Sequence, residues 1–193
     1  MEVNMEHRRK GIDPETIITG YYKKSSRAYR VLEAHGRLVA GKSLALAERV
    51  LHRQPDRRFI EEAALLHDIG IIRVNAPDLG CNGSHPYICH GILGREMLET
   101  QGLPDHALVC ERHVGAGLSV NEIRAAGLPL PLRDMQPVSL EEIIIAYADK
   151  FFSKSREHME TEKSLDEVVR GMEKYGEKQV KTFLSWAELL GDA

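Results

Sequence analysis

Nine histidines are spread through 193 residues, and four of them share a setting that surface histidines lack. His35 lies in VLEAHGRLV, His67 in ALLHDIG, His90 in ICHGILG and His113 in ALVCERHVG. Each falls on a helix stripe that ought to face a core, as do Asp68 beside His67 and Asp149 in IIIAYADKFF. A buried polar group is costly without a partner, so these six need one another or a shared ion. One His-Asp dipeptide is within chance expectation, and a lone buried histidine is more often a satisfied core residue than a ligand. The inference therefore rests on the set. Neutral imidazole nitrogens mixed with ionised carboxylates suit Fe, Mn, Co, Ni or Zn, whereas a carboxylate-only cage would suit Mg or Ca. With no cysteine cluster beside them, a structural zinc site is not expected.

The elements that must position these groups read as helices. Asp13-Pro14 starts a short one to about Tyr22. A long one is expected from about Ser26 to Arg53, with Gly36 and Gly41 as places where it bends or splits. Asp56 caps the helix that ends in His67-Asp68. The stretch RVNAPDLGCNGSHPY reads as a loop. Helices resume at about 90–100 and 104–113, and three Ser-x-x-Glu capping boxes follow, at Ser119, Ser139 and Ser164. GLPLPLRDMQPV between the first two reads as a surface loop with the character of a lid. The six polar groups thus sit on five helices and can meet only in the middle of a bundle. The fold expected is all-α, a single-domain helical bundle. Residues 1–24 form an N-terminal arm and short helix, 25–158 the main domain, and 159–193 a helical segment packed on the core. In that segment Phe183, Leu184, Trp186, Leu189 and Leu190 recur at roughly helical spacing, for core packing or a homodimer contact.

Composition narrows the function. A net charge of −3 gives no footprint for nucleic acid or a membrane surface. The run His7-Arg8-Arg9-Lys10 precedes no apolar segment and reads as a solvated arm. No apolar stretch nears the roughly 20 residues that span a bilayer. Three cysteines, with no C-x-x-C pair, favour a reducing cytoplasm over a disulfide framework.

The order His35, His67-Asp68, Asp149 resembles the HD-domain superfamily of metal-dependent phosphohydrolases. LLHDIG is similar to that family's central motif and AYADK to its final-aspartate motif, over about Arg30 to Phe152. His90 in HGILGREML and His113 in ERHVG resemble the extra histidines of the binuclear branch, which includes YqeK-like enzymes that hydrolyse symmetric dinucleoside tetraphosphates. The resemblance implies that His35, His67, Asp68 and Asp149 hold one metal, with Asp68 bridging to a second held by His90 and His113. It implies hydrolysis of a phosphoester or phosphoanhydride of a nucleotide or other small phosphorylated metabolite by a metal-bound hydroxide. Two sequence departures stand out. Ile71 occupies the position after HDIG where many relatives carry lysine, and the glycine-tyrosine-proline signature of the cyclic-di-GMP branch is absent.

Within that frame Asp68 and Asp149 are expected to orient water or take up its proton. Lys150 is expected either to stabilise charge in the transition state or to face solvent. Arg73 and His85 are weaker candidates for touching substrate. Arg112 is expected to face away from the site, and Cys89 and Cys110 to be small core residues. His7, His52, His106 and His158 read as solvated. Two other readings stay open: a di-iron oxygenase using the same ligand set, and a non-catalytic module that binds a nucleotide or a partner.

Overall fold

The computed structural model describes residues 11–155 and 161–192. The basic run His7-Arg8-Arg9-Lys10, His158 and the boundary expected at 158/159 lie outside the described residues. Described residues form nine α-helices and one two-stranded antiparallel ribbon, so the all-α bundle expected from periodicity is the fold observed.

Helix α1 (Pro14–Tyr21) begins as expected, with the Asp13 carboxylate accepting from the Glu15 amide. Helix α2 (Arg27–Arg49) is continuous through Gly36 and Gly41. It ends four residues before the expected Arg53, where the chain tightens into a 3-10 turn over Leu51–Arg53. Helix α3 (Arg57–Leu66) is capped by Asp56 and stops at His67. The Gly- and Pro-rich stretch after Ile72 is more ordered than a bare loop. Strands β1 (Asn75–Ala76) and β2 (Cys81–Asn82) pair across a short turn within it. Helices α4 (His90–Glu99) and α5 (Pro104–Arg112) follow close to their expected bounds.

The three capping boxes differ in a way the spacing does not reveal. Those at the starts of α6 (Val120–Ala125) and α8 (Leu165–Met172) are closed in both directions. At the start of α7 (Leu140–Asp149), Ser139 caps the Glu142 amide, but the Glu142 carboxylate turns away. It accepts instead from Arg112, at 2.9 and 3.0 Å, and from the Val138 amide. The two contacts with the Arg112 guanidinium outcompete the single Ser139 amide for this carboxylate, and they turn Arg112 toward Glu142.

The stretch over residues 127–138 is pinned rather than lid-like. Leu118 and Met135 exchange backbone hydrogen bonds, Arg133 pairs with buried Glu111, and Asp134 accepts from the Val120 amide. Helix α9 (Glu177–Leu190) buries Phe183, Trp186 and Leu190 against α2 and α7, while Leu184 is exposed. Phe183 stacks on Tyr147 at 4.6 Å, and each such side chain contributes about 1.5–3 kcal/mol by burial.

Apolar side chains form two clusters. One joins α2, α3, α5, α7, α8 and α9; the other joins α1, α2, α3, α4 and α5. Helices α2, α3 and α5 contribute to both clusters, and these shared helices bear or end at His35, His67 and His113.

Candidate metal centre

Backbone geometry brings the polar groups together before any side chain is considered. Gly70 makes the approach of α4 feasible, because a Cβ there would stand 2.1 Å from the His90 carbonyl oxygen and 2.4 Å from the Gly94 amide. Gly91 does the same between α4 and α5, where a Cβ would meet the Cys110 carbonyl oxygen at 2.6 Å. Without those two glycines His90 and His113 could not stand beside Asp68.

Six buried side chains converge. His35, His67, Asp68 and Asp149 form one group and Asp68, His90 and His113 another, with the offered atoms of each group within 4.8 Å of one another. His35 Nε2 lies 2.8 Å from Asp149 Oδ1 and 3.4 Å from Asp68 Oδ2. His67 Nε2 lies 3.3 Å from Asp68 Oδ2 and 3.4 Å from Asp149 Oδ1. On the other side, Asp68 Oδ1 stands 3.4 Å from His90 Nε2 and 3.5 Å from His113 Nε2. Asp68 therefore belongs to both groups, one oxygen to each.

The tautomers follow from helix ends. His67, His90 and His113 each follow the last residue of a helical turn, where carbonyls lack partners within the helix. Their Nδ1 atoms stand 2.6–2.8 Å from the carbonyls three residues back, of Ala64, Tyr87 and Cys110. A carbonyl only accepts, so Nδ1 carries hydrogen, and in the neutral ring Nε2 presents its lone pair to the cluster. Partners of this kind orient metal-binding imidazoles. His90 and His113 consequently aim two Nε2 atoms at each other across 3.0 Å, a repulsive contact unless a proton or cation lies between. The C-termini of α3, α5 and α7 also face this point, and their dipoles favour positive charge.

The spacing fits a metal. At an imidazole–metal distance of about 2.1 Å, neighbouring ligands stand about 3.0 Å apart in an octahedron and about 3.4 Å in a tetrahedron. The separations of 2.8–3.5 Å bracket those two values. His67 Nε2 and both Asp68 oxygens are buried without a hydrogen bond of good geometry, donor atoms that an ion would satisfy.

Electrostatics tell the same story. Burial pushes His35 down to about 4 and His90 down to about 3, and it lowers His113 as well. His67 goes the other way: burial opposes its charge, but Asp68 and Asp149 outweigh it and raise it to about 9. Against burial, Lys154 and His67 hold Asp68 well below the carboxylate range, and Lys150 and Lys154 do so for Asp149.

Two neighbours escape a sequence reading. Lys154 Nζ lies 2.7 Å from Asp68 Oδ2 and 3.7 Å from Asp149 Oδ1; despite burial, those carboxylates hold its ammonium well above the usual lysine value. Tyr87 lies against His90, ring centroids 4.7 Å apart. Lys150 reaches Asp149 Oδ2 at 2.6 Å and the His113 carbonyl at 3.0 Å, so it faces the cluster rather than solvent. Arg73 stands apart, 3.6 Å from Glu96 at the surface. His85 is exposed, and its backbone is tied to Arg73 and Asn75. Ile71 is fully buried in the second apolar cluster. Cys89 and Cys110 are buried, as small core residues should be. His52 is exposed as expected, but His106 is not. It is buried edge-on against Phe59, with Nε2 3.3 Å from Glu62, because its partners come from a helix more than 40 residues away in sequence.

A helical bundle whose core holds two linked His/Asp groups has the build of a metal-binding protein. The chain belongs to the HD domain family, whose model matches residues 32–153. It is 34% identical over 132 residues to an uncharacterized protein of Methanocaldococcus jannaschii, a match covering 68% of each chain. It is also similar to proteins named tRNA (cytidine(56)-2'-O)-methyltransferase. With that of Picrophilus torridus it shares 37% identity over 102 residues, 52% of this chain and 26% of the relative. With that of Thermoplasma volcanium it shares 29% identity over 142 residues, 73% of this chain and 37% of the relative. The chain thus spans well under half of either methyltransferase. No solved structure matches it.

Proposed function

We propose that the chain is a phosphohydrolase that uses two divalent transition-metal ions, acting on a nucleotide or another small phosphorylated metabolite. The observation that supports this best is the shared Asp68, with one oxygen toward His35, His67 and Asp149 and the other toward His90 and His113. His35, His67, Asp68 and Asp149 would hold one ion, and Asp68, His90 and His113 the other. Ions so held supply Lewis acidity and an activated water at neutral pH.

The chain's own residues do the rest. Asp149 would orient a water through Oδ2, the oxygen that Lys150 holds. Lys150 and Lys154 place two ammonium groups at the cluster's edge, where charge builds on phosphoryl oxygens. The missing lysine at Ile71 is made good by these two groups. Burial of the cluster excludes bulk water and strengthens each of these interactions.

The methyltransferase names of two relatives attach to proteins mostly outside the matched region, so they do not carry methyl transfer to this chain. The test is direct. Purified wild type and Asp68→Ala are assayed for metal by elemental analysis and for phosphate release from mononucleotides, dinucleoside polyphosphates and generic phosphoesters. Wild type is expected to hold about two transition-metal ions per chain and to release phosphate; the variant is expected to do neither. Wild type without transition metal, or an active variant, overturns the proposal. Oxygen consumption on a redox-active iron pair would instead identify an oxygenase.

A further inference from the structure

A cavity of about 680 Å³ lies beside the cluster and is not formed by the six candidate ligands. Its size is that of small-molecule sites, about 300–1,000 Å³. One wall is Ile88, Val114 and Gly115, which flank His90 and His113 in the chain. The other includes Met172 and Tyr175, which lie beyond the family's matched residues 32–153. Lys150 joins cavity and cluster, lining the first and reaching Asp149 Oδ2 at 2.6 Å.

The lining is chiefly apolar, and two of its polar members, Gln179 and Glu122, are tied to the wall. Gln179 accepts from the Ala116 amide and donates to the Gly117 carbonyl and Glu122. Glu122 in turn takes Lys178 and Ser119. These groups brace the wall, which leaves Lys150, Lys174 and Tyr175 as the other polar members of the lining. At the rim, the Tyr175 ring is 64% exposed with Lys174 Nζ 4.9 Å from its centroid, an open aromatic face. An apolar cavity with an aromatic rim and one cation at its inner end fits a flat body carrying a single phosphate.

We propose that this cavity is the specificity subsite for the planar base of a nucleoside monophosphate, walled by the C-terminal segment and directing the phosphate toward Lys150. The proposal rests on the phosphohydrolase reading for the phosphate end. Ala126, exposed on the cavity wall, gives a variant that fills the space from outside, Ala126→Trp. Tyr175→Ala removes the rim.

Adenosine binding to the full chain is measured by isothermal titration, which needs no turnover, with melting curves to verify folding. Wild type is expected to bind adenosine, Ala126→Trp at least tenfold more weakly, and Tyr175→Ala about fivefold more weakly, as loss of base stacking implies. The same proteins with added manganese are assayed on AMP, glycerol phosphate and octyl phosphate. The preference for AMP over glycerol phosphate in kcat/KM is expected to fall at least tenfold in Ala126→Trp, chiefly through KM. Absence of adenosine binding, unchanged binding in Ala126→Trp, or a preference for octyl phosphate overturns the subsite. Adenosine binding without phosphate release from any ester overturns the hydrolase reading and leaves the subsite standing.

Discussion

Lys154 Nζ stands 2.7 Å from Asp68 Oδ2, the oxygen that also lies 3.4 Å from His35 Nε2 and 3.3 Å from His67 Nε2. The ammonium and a metal therefore compete for the same carboxylate. In the metal-free protein, replacing Lys154 by Met leaves Asp68 and Asp149 buried without that charge, a loss of about 3 kcal/mol or more. In the loaded protein the metal supplies the charge instead. Lys154→Met is thus expected to melt lower than wild type without metal and to gain a larger rise in Tm on metal addition. Its metal affinity should increase about tenfold or more, while phosphate release falls. Equal Tm increments in the two proteins would show that Lys154 is a bystander.

The division of oxygens at Asp68 predicts a stoichiometry. Asp68→Asn keeps the shape of the side chain and removes the charge common to both groups, so metal content should drop at both positions. His90→Ala and His113→Ala touch the second group alone and should each remove about one equivalent. His35→Ala should act on the first group in the same way. Elemental analysis of the four variants after dialysis checks this pattern. A single-ion loss in Asp68→Asn would show that the aspartate does not bridge.

Gly70 predicts a backbone effect on the same site. A Cβ at 2.1 Å from the His90 carbonyl oxygen meets main chain, which no rotamer change relieves. Gly70→Ala should destabilise the fold by about 3 kcal/mol and should displace α4, weakening the His90–His113 position before the other. Chemical denaturation gives the first quantity and metal titration the second. A variant with wild-type stability would mean that α4 can slide without cost.

The cluster of six was legible because it contradicts its surroundings: imidazoles and carboxylates on apolar stripes need an explanation that leucines do not. Lys154 carries no such contradiction. It follows the end of α7 in the polar stretch Ser153-Lys154-Ser155, where lysine reads as solvated, and only the return of that chain over Asp68 makes it part of the site. His106 misreads for the same reason, since Glu62 reaches it from another helix. Helix starts were legible from Asp13, Ser26, Asp56, Ser119, Ser139 and Ser164. What Glu142 does with its carboxylate was not, because Arg112 sits on a different helix. Local chemistry is written in the sequence, whereas partners chosen across the bundle emerge only when the helices pack.

Glu122 offers a pH test away from the candidate ligands. Burial alone would raise its carboxyl, but the Lys178 ammonium, the Ser119 hydroxyl and amide, and the Gln179 amide outweigh that and bring it down to about 2. Because the folded value lies below the ordinary glutamate value of about 4.3, the unfolded chain binds this proton first as pH falls. The stabilisation from Glu122 is therefore complete above about pH 4.3 and drains away between there and pH 2. In Glu122→Gln the side chain cannot titrate, so part of the acid sensitivity should disappear. Urea midpoints at pH 7 and at pH 3 measure it: the gap between wild type and Glu122→Gln should be widest at pH 7 and narrow at pH 3. A gap that stays constant across that range would mean that the contacts with Lys178 and Ser119 do not depend on the carboxylate's charge.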